Sequence, residues 1–511
     1  MKLKELARRI AGSRLIGSGE VAVKRAVHDS RRVGPGDLFV ALSGRRADGH
    51  EFVAAAQEAG AAAAAVERPV DLKRPMPQVV VPDAREALGL AAHALAGDPT
   101  GRLMVCGVTG TSGKTTTTYL VRSILERAGW PTGILGTISC VIGDREIPST
   151  MTTPDADELA RYFAEMVEEG LKAAVMEVSS HALDQRRTAG IRFRVGVFTN
   201  LTAEHMDYHP TMEHYRDAKG LLFAGLSDAA SAVLNADDPT SVFYKKGCRA
   251  RVRWYGLDAK AEIRAEGVRM SLAGSRFTLV TPRGRIDVRM PLVGLHNVRN
   301  GLAAAGVGEA LDLPLETIAA GLEDVKTVRG RLESVEPATA GGSDPGEPGP
   351  FTVLVDYAHK TDALQHSLSA VRDLLDGKGR LIVVFGCGGD RDRTKRPAMA
   401  RVAETLADRV IVTSDNPRSE KPQAIADEIV SGFSSLEKVT VELDRRSAIA
   451  LAIGEARPGD VVVIAGKGHE TYQIIGDVTR PFDDREVAAE ILRGTRRGGR
   501  ATPDGGRAGK V

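Results

Sequence analysis

The sequence predicts an α/β protein of three domains: a small α/β domain at the N-terminus, a central domain with a mostly parallel sheet, and a doubly wound, Rossmann-like domain at the C-terminus. Three observations predict it. At 511 residues the chain is too long for one hydrophobic core. Apolar strand-like runs alternate with segments of helical spacing through most of its length. A glycine-rich turn, Thr109 to Thr118 (TGTSGKTTTT), separates the apolar run Leu103 to Val108 from Leu120, Val121, Ile124, Leu125 and Ala128, which recur at helical intervals. The expected boundaries are 1–99, 100–329 and 330–492, with a basic, disordered tail at 493–511.

Composition narrows the function classes. Six Lys or Arg against Asp504 give Arg493 to Val511 a charge of +5, so the rest of a chain whose net charge is +2 carries −3. That mildly acidic body offers no nucleic-acid surface. The N-terminus MKLKELARRIAG lacks the apolar core of a signal peptide. No run approaches the ~18 apolar residues of a membrane span. A cytoplasmic monomer acting on small molecules, with no membrane insertion, is the expectation. Cys106, Cys140, Cys248 and Cys387 have no metal-type spacing and read as buried free thiols.

The first hundred residues combine the turn Asp29-Ser30-Arg31, a strand from Asp37 to Leu42, a loop from Ser43 to Gly49, an alanine-rich helical stretch from Val53 to Val66 and an apolar run from Gln78 to Val81. Polar loops at strand ends suit a ligand, although surface turns have the same composition.

In the central segment, strand, glycine loop and helix form the context of a phosphate-binding loop. Gly110 and Gly113 let backbone NH groups converge on an anion, and the following helix directs its positive end there. Lys114 adds a cation and Thr115 a hydroxyl for a phosphate-bound magnesium ion. A glycine turn before an ordinary helix is the plainer alternative. The usual pattern wants glycine five places before Gly113, where Val108 stands; Gly107 comes one residue earlier.

Three further apolar strands end in polar groups. Leu171 to Val178 leads to Ser179-Ser180-His181, Phe193 to Thr199 to Asn200 and Glu204-His205, and Ala232 to Asn235 to Asp237-Asp238. Glu177 suits magnesium, with a buried, paired structural glutamate as the alternative. His205 would be an unusual magnesium ligand, and a hydrogen-bonded loop histidine fits equally. Lys219 reads as an exposed helix lysine. Val252 to Val293 reads as an antiparallel excursion, followed by a helix on which Asn297 and Asn300 share one face. Their amides can read a purine edge, or Asn297 can cap the helix.

From Gly330-Arg331 onward, with a flexible loop expected from Thr339 to Pro350, apolar strands at Phe351 to Val355, Leu381 to Phe385, Val410 to Val412 and Val461 to Ala465 alternate with helices. Their carboxyl ends carry Asp356-Tyr357-Ala358-His359, GCGGDRDR from Gly386, Ser414-Asp415-Asn416-Pro417-Arg418 and Gly466-Lys467-Gly468-His469-Glu470. In an open parallel sheet these ends share one edge and imply a second binding surface. Arginine grips carboxylates in a fork and glutamate suits an ammonium, so an amino acid with more than one carboxylate fits there.

TGTSGKTTTT, MEVSSHALDQRR, FTNLTAEHMDYH, HYRDAK, NADD, LVGLHNVRN, GRLE, VDYAH, FGCGGDRDRTKRP, SDNPRSE and GKGHE, in this order from about Val27 to Arg485, resemble the Mur ligases, in the form that adds meso-diaminopimelate. The resemblance implies ATP-dependent amide formation on a UDP-N-acetylmuramoyl dipeptide in peptidoglycan precursor synthesis, by way of an acyl phosphate. It implies that Gly110, Thr111, Ser112, Gly113, Lys114, Thr115 and Thr116 cradle ATP, that Asn297 meets adenine and Arg331 the phosphates, and that Asp356 and His359 complete the nucleotide site. Thr115, Glu177, His205 and a carbamylated Lys219 are implied at Mg2+, with Lys114, Glu177, His205 and Lys219 catalytic. Ser30, Arg45, Arg46, Ala47, Thr152, Thr153, Ser179, Gln185 and Arg187 are implied at the UDP-sugar dipeptide. Arg391, Asp415, Asn416, Pro417, Arg418, Gly466 and Glu470 are implied at diaminopimelate. Closure of the third domain onto the second is expected to assemble the site. Glycine at the Gly107 position is the family's form, while Ser112 stands where asparagine is common. A lysine-adding relative would share every nucleotide motif, and a phosphate-loop switch is the reading from another class.

Overall fold

The computed structural model describes residues 1–44, 47–335 and 351–498. Two compact units divide the chain: Met1–Val268 with Arg276–Met290 and His296–Val325, and Arg269–Ser275 with Pro291–Leu295 and Lys326–Val511. No helix among the described residues is long and apolar enough to cross a membrane.

The first unit begins with a five-stranded sheet in the order Arg14–Ile16, Gln78–Val80, Ala63–Val66, Leu38–Val40, Ala26–Val27, parallel except for its first strand. One expectation fails here. The alanine-rich stretch is helical only over Val53–Glu58, and Ala63–Val66 is a fully buried strand. Gly60, at φ 104°, stops the helix, and pairing on both sides then outweighs the helix propensity of alanine. The helix Ala84–Leu95 seals this sheet, and Ala156 and Ala160 of the helix Ala156–Glu168 join its core.

The large sheet of the same unit has eleven strands. Its centre is parallel, with Met104–Thr109 between Ala173–Glu177 and Phe193–Phe198. Glu177 aligns with Val108, and Phe198 with Thr109, so both neighbouring strands end level with the glycine loop. The stretch read as antiparallel starts differently: Arg251–Gly256 runs parallel to both Ser231–Asn235 and Ile263–Ser271. The strands Gly274–Thr281 and Gly284–Met290 then complete that edge.

The second unit holds a six-stranded sheet in the order Glu333–Ser334, Thr352–Asp356, Val461–Ala465, Leu381–Phe385, Arg409–Val412, Val439–Val441, parallel after the first strand. Alternate residues fill two cores. Leu354, Val383 and Val463 meet Leu364, Met399 and Ile425 on one face, and Val355, Val384 and Ile464 meet Ile449, Ala452 and Ala488 on the other. Helices thus cover both faces, as a doubly wound sheet requires. The hairpin Tyr472–Ile475 and Val478–Pro481 follows the last strand. The helix Asp484–Gly498 runs into the segment whose composition suggested a disordered tail. The rest of that tail, and the flexible loop expected from Thr339 to Pro350, lie outside the described residues.

Candidate functional site

The glycine loop closes on itself and on its neighbours. Lys114 opens the helix Lys114–Arg127, and its Nζ donates to the carbonyls of Gly110 and Thr111, each at 2.9 Å. Ser112 N donates to Asn200 Oδ1 at 3.0 Å, and Thr199 Oγ1 to Ser112 O at 2.6 Å. Gly113 has φ 86°, and a Cβ there would collide with Asn300 Oδ1. Asn300 in turn donates to Asn297 Oδ1 at 3.0 Å. Asn297 is buried as the third residue of the helix Leu295–Ala310, so it does not cap that helix. Thr116 is buried behind the loop.

Glu177 is the buried acceptor at the end of its strand. Its Oε1 accepts from Thr115 Oγ1 at 3.0 Å and Thr137 N at 2.8 Å, and its Oε2 from Thr137 Oγ1 at 3.0 Å. A carboxylate and a hydroxyl form the hard oxygen set that magnesium prefers, so Thr115 and Glu177 fit that ion. A second position is less complete. Lys219, read as exposed, is only 1% exposed, because its helix Met212–Ala224 turns it inward. Its Nζ donates to Gly110 O at 3.0 Å and lies 4.4 Å from the centre of the Tyr215 ring. His205, at φ 58°, sets its ring 4.8 Å from His181 and 6.3 Å from Tyr215. Among the described residues no three His, Cys, Asp or Glu side chains converge as a metal-holding group.

Most residues expected at the sugar dipeptide adjoin this centre. Thr152 Oγ1 lies 3.2 Å from Thr137 Oγ1 and donates to it, since the Thr137 proton goes to Glu177. Thr153 Oγ1 donates to Glu177 O at 2.8 Å and accepts from Ser179 N at 3.0 Å. Arg187 donates to Thr153 O at 3.0 Å and to Gln185 Oε1 at 2.8 Å. Ser30 opens the short turn Ser30–Arg32, and Ala47 is exposed on its loop. Arg45 and Arg46 lie outside the described residues.

In the second unit the four strand-end motifs interlock. Asp356 Oδ2 accepts from Leu332 N at 2.7 Å, and its Oδ1 from Ala358 N at 3.0 Å and Ser367 Oγ at 2.9 Å. Burial raises its pKa above the ordinary carboxylate value. Asp356 therefore fixes the Gly330-Arg331 turn with hydrogen bonds that fill its carboxylate. Arg331 lies over Tyr357, 4.9 Å from the ring centre, and Tyr357 packs against His359 at 4.5 Å and His469 at 4.6 Å. Burial pushes His359 down to about 4 and His469 to about 3.

The residues expected at the amino acid form one cluster. Asn416 Nδ2 donates to Glu470 Oε2 at 2.9 Å, and Gly466 N to Asp356 O at 3.0 Å. Arg418 sits at φ 52°, pinned between Ile474 O at 3.2 Å and Gly476 N at 2.8 Å, and its guanidinium donates to Gly389 O at 2.8 Å. Pro417 is buried between them, while Arg391 is exposed on the neighbouring glycine loop. Burial raises the pKa of Glu470, against the pull of Lys467.

Several members of these networks escaped the sequence reading. Thr137 gives no signal, since it lies outside any motif. Tyr215, whose hydroxyl is 3.2 Å from Thr111 Oγ1, sits within HYRDAK, the motif that also carries Lys219. Gln473 Nε2 donates to Asp415 O at 2.8 Å from the hairpin, and alternation alone would have left it an ordinary strand residue. All four thiols are free, as expected; Cys106, Cys140 and Cys387 are buried, whereas Cys248 is only partly so.

Three family models match the chain: the Mur ligase family, catalytic domain at residues 23–95, the Mur ligase middle domain at 108–308, and the Mur ligase, glutamate ligase domain at 345–468. A UDP-N-acetylmuramoyl-L-alanyl-D-glutamate--2,6-diaminopimelate ligase of Geobacillus thermodenitrificans is 46% identical over 500 residues, 96% of this chain and 99% of that one. A solved structure of a ligase with the same name is 31% identical and covers 97% of this chain and 99% of its own, with a TM-score of 0.71. The MurF ligase of Thermotoga maritima, solved in complex with ADP, shares the fold at 20% identity and a TM-score of 0.58 over 92% of this chain and 96% of that one. The chain belongs to the Mur ligase family.

Proposed function

We propose that the chain is the ATP-dependent ligase that joins meso-diaminopimelate to UDP-N-acetylmuramoyl-L-alanyl-D-glutamate. A carboxylate oxygen of the D-glutamate attacks the γ-phosphorus of ATP, and ADP leaves. The amine of diaminopimelate then attacks the acyl carbon, phosphate leaves, and the nitrogen loses a proton as the amide forms. A carboxylate resists amine attack until one oxygen becomes a good leaving group, which is why a ligase of this kind needs the nucleotide.

Each step draws on named groups. The 110–116 loop, the helix end behind it and Lys114 receive the triphosphate. Thr115 and Glu177 hold magnesium, which when bound neutralises phosphate charge. Lys219, with His205, flanks the loop from the Tyr215 side, and carbamylation would turn its cation into an anionic oxygen ligand. Asn297 takes the adenine, while Arg331 and His359 serve the nucleotide from the turn that Asp356 fixes. Thr152, Thr153, Ser179, Gln185 and Arg187, with Ser30, Arg45, Arg46 and Ala47, hold the sugar dipeptide. Arg391, Asp415, Asn416, Pro417, Arg418, Gly466 and Glu470 hold diaminopimelate, and Arg418 selects its distal carboxylate. The same reading keeps the divisions at residues 99, 329 and 492 and a cytoplasmic monomer.

The observation that carries the proposal is the Asp415–Arg418 loop locked to Glu470 in a chain that also bears the Thr115–Glu177 phosphate centre. Phosphate release is measured with ATP, the UDP dipeptide and either diaminopimelate or lysine. One phosphate and one amide per ATP with diaminopimelate, and neither with lysine, is the expected result. Turnover with lysine instead would reassign the acceptor, and ATP hydrolysis without any acceptor would favour a switch.

A further inference from the structure

Lys467 is wholly buried, with 0% exposure, in the cluster of polar groups that follows the strand Val461–Ala465. Its Nζ stands 3.1 Å from Asn416 Oδ1, 3.4 Å from Glu470 Oε2 and 3.7 Å from Asp415 Oδ1. Asn416 closes the group, accepting from Lys467 and from Ile474 N at 3.0 Å while donating to the same Glu470 oxygen. A lysine in this position is no surface charge, and the reaction as described gives it no task.

We propose that Lys467 is a positioning residue that sets the Asp415–Glu470 end of the amino-acid subsite at one net negative charge and so fits that end to a single substrate ammonium. The inference rests on the assignment of Asp415, Asn416 and Glu470 to the amino acid. Two carboxylates that face one another without a cation between them repel, and that repulsion disfavours the paired negative charge that an ammonium needs. Lys467 supplies that cation from the protein. Asp415 and Glu470 count −2, Lys467 counts +1, and the neutral Asn416 amide holds the three in register. The other cations nearby stand outside this group of charges. Arg445 is bound through two nitrogens to Asp484, each at 2.7 Å, and Arg418 donates to Gly389 O. Arg391 is exposed. One negative charge therefore remains for one ammonium, with Arg418 and Arg391 left for a carboxylate on the same carbon.

The test is a double-mutant cycle read as separate KM values. Lys467→Met raises the KM for diaminopimelate by about 30-fold, while the KM for ATP and for the UDP dipeptide stays within about twofold. The double variant Lys467→Met/Glu470→Gln loses one charge of each sign and keeps the net charge of the parent, so its KM for diaminopimelate is no higher than that of Glu470→Gln alone. This second comparison stands even where Lys467→Met alone does not fold. A KM for diaminopimelate unchanged in Lys467→Met overturns the proposal, and so does a double variant about 30-fold worse than Glu470→Gln. A parent enzyme that forms no amide with diaminopimelate overturns the functional reading, and this proposal with it, before any variant is compared.

Discussion

Thr115 Oγ1 donates to Glu177 Oε1 across 3.0 Å, joining the first turn of the phosphate-loop helix to the end of the neighbouring strand. The contact makes Glu177→Gln a clean test of charge. Glutamine keeps an oxygen for Thr115 and for Thr137 N, and Thr137 Oγ1 can accept from its amide, so the fold should hold. What it loses is the anion that suits magnesium. Amide formation should fall by about 10²–10³-fold, with a higher magnesium requirement and an unchanged thermal midpoint. A rate within about threefold of the parent would remove Glu177 from the nucleotide centre.

Gly113 and Asn300 make a second pair with a definite consequence. Gly113→Ala places a methyl group against Asn300 Oδ1 and forces alanine into left-handed backbone, a strain of about 1–2 kcal/mol. The KM for ATP should rise about tenfold. Adding Asn300→Ala removes the colliding amide and should recover part of that loss. A double variant no better than Gly113→Ala alone would show that the collision is not the cause.

The elements and motif order were legible in the sequence because parallel strands buried on both faces give continuous apolar runs, and their polar ends mark one sheet edge. What stayed hidden depended on tertiary surroundings. Ala63–Val66 reads as helix because alanine favours helix, and only its two flanking strands override that. Lys219 reads as exposed because one helix does not reveal what packs against it. Lys467 and the three groups around it come from two loops about fifty residues apart, and no local pattern reports that their charges are counted together.

Arg418 offers the sharpest test of acceptor choice. Its backbone is held by Ile474 and Gly476 of the adjoining hairpin, so Arg418→Ala keeps those main-chain bonds while removing the guanidinium and the stem that carries it. Diaminopimelate binding should weaken by about 2–5 kcal/mol, read by calorimetry, with ATP affinity unchanged. Gln473→Leu acts through the same loop by releasing Asp415 O, and should raise the KM for diaminopimelate about tenfold while sparing kcat. Equal losses in ATP affinity would mean that the loop does not select the amino acid.

His93 carries a prediction about acid stability. Its ring is 1% exposed, lies against Phe163 with centroids 6.0 Å apart, and has no hydrogen-bond partner for either nitrogen among the described residues. Burial lowers its pKa from 6.5 to about 4. Between those values the unfolded chain binds the extra proton, so the stabilising difference is complete above pH 6.5 and is lost as pH falls toward 4. His209, lowered to about 4 by burial and by His181 and His214, works in the same direction. His28, raised by Asp157 Oδ1 at 3.3 Å, works against it, which is why one ring must be removed at a time. A single such histidine contributes up to ~1.4 kcal/mol per pH unit across its window. His93→Leu should therefore shrink the fall in thermal midpoint between about pH 7.5 and pH 5, and at pH 7.5 should leave stability unchanged or raised by about 1 kcal/mol, since two unpaired nitrogens leave the core. An unaltered fall in midpoint would mean that the buried ring does not titrate with unfolding.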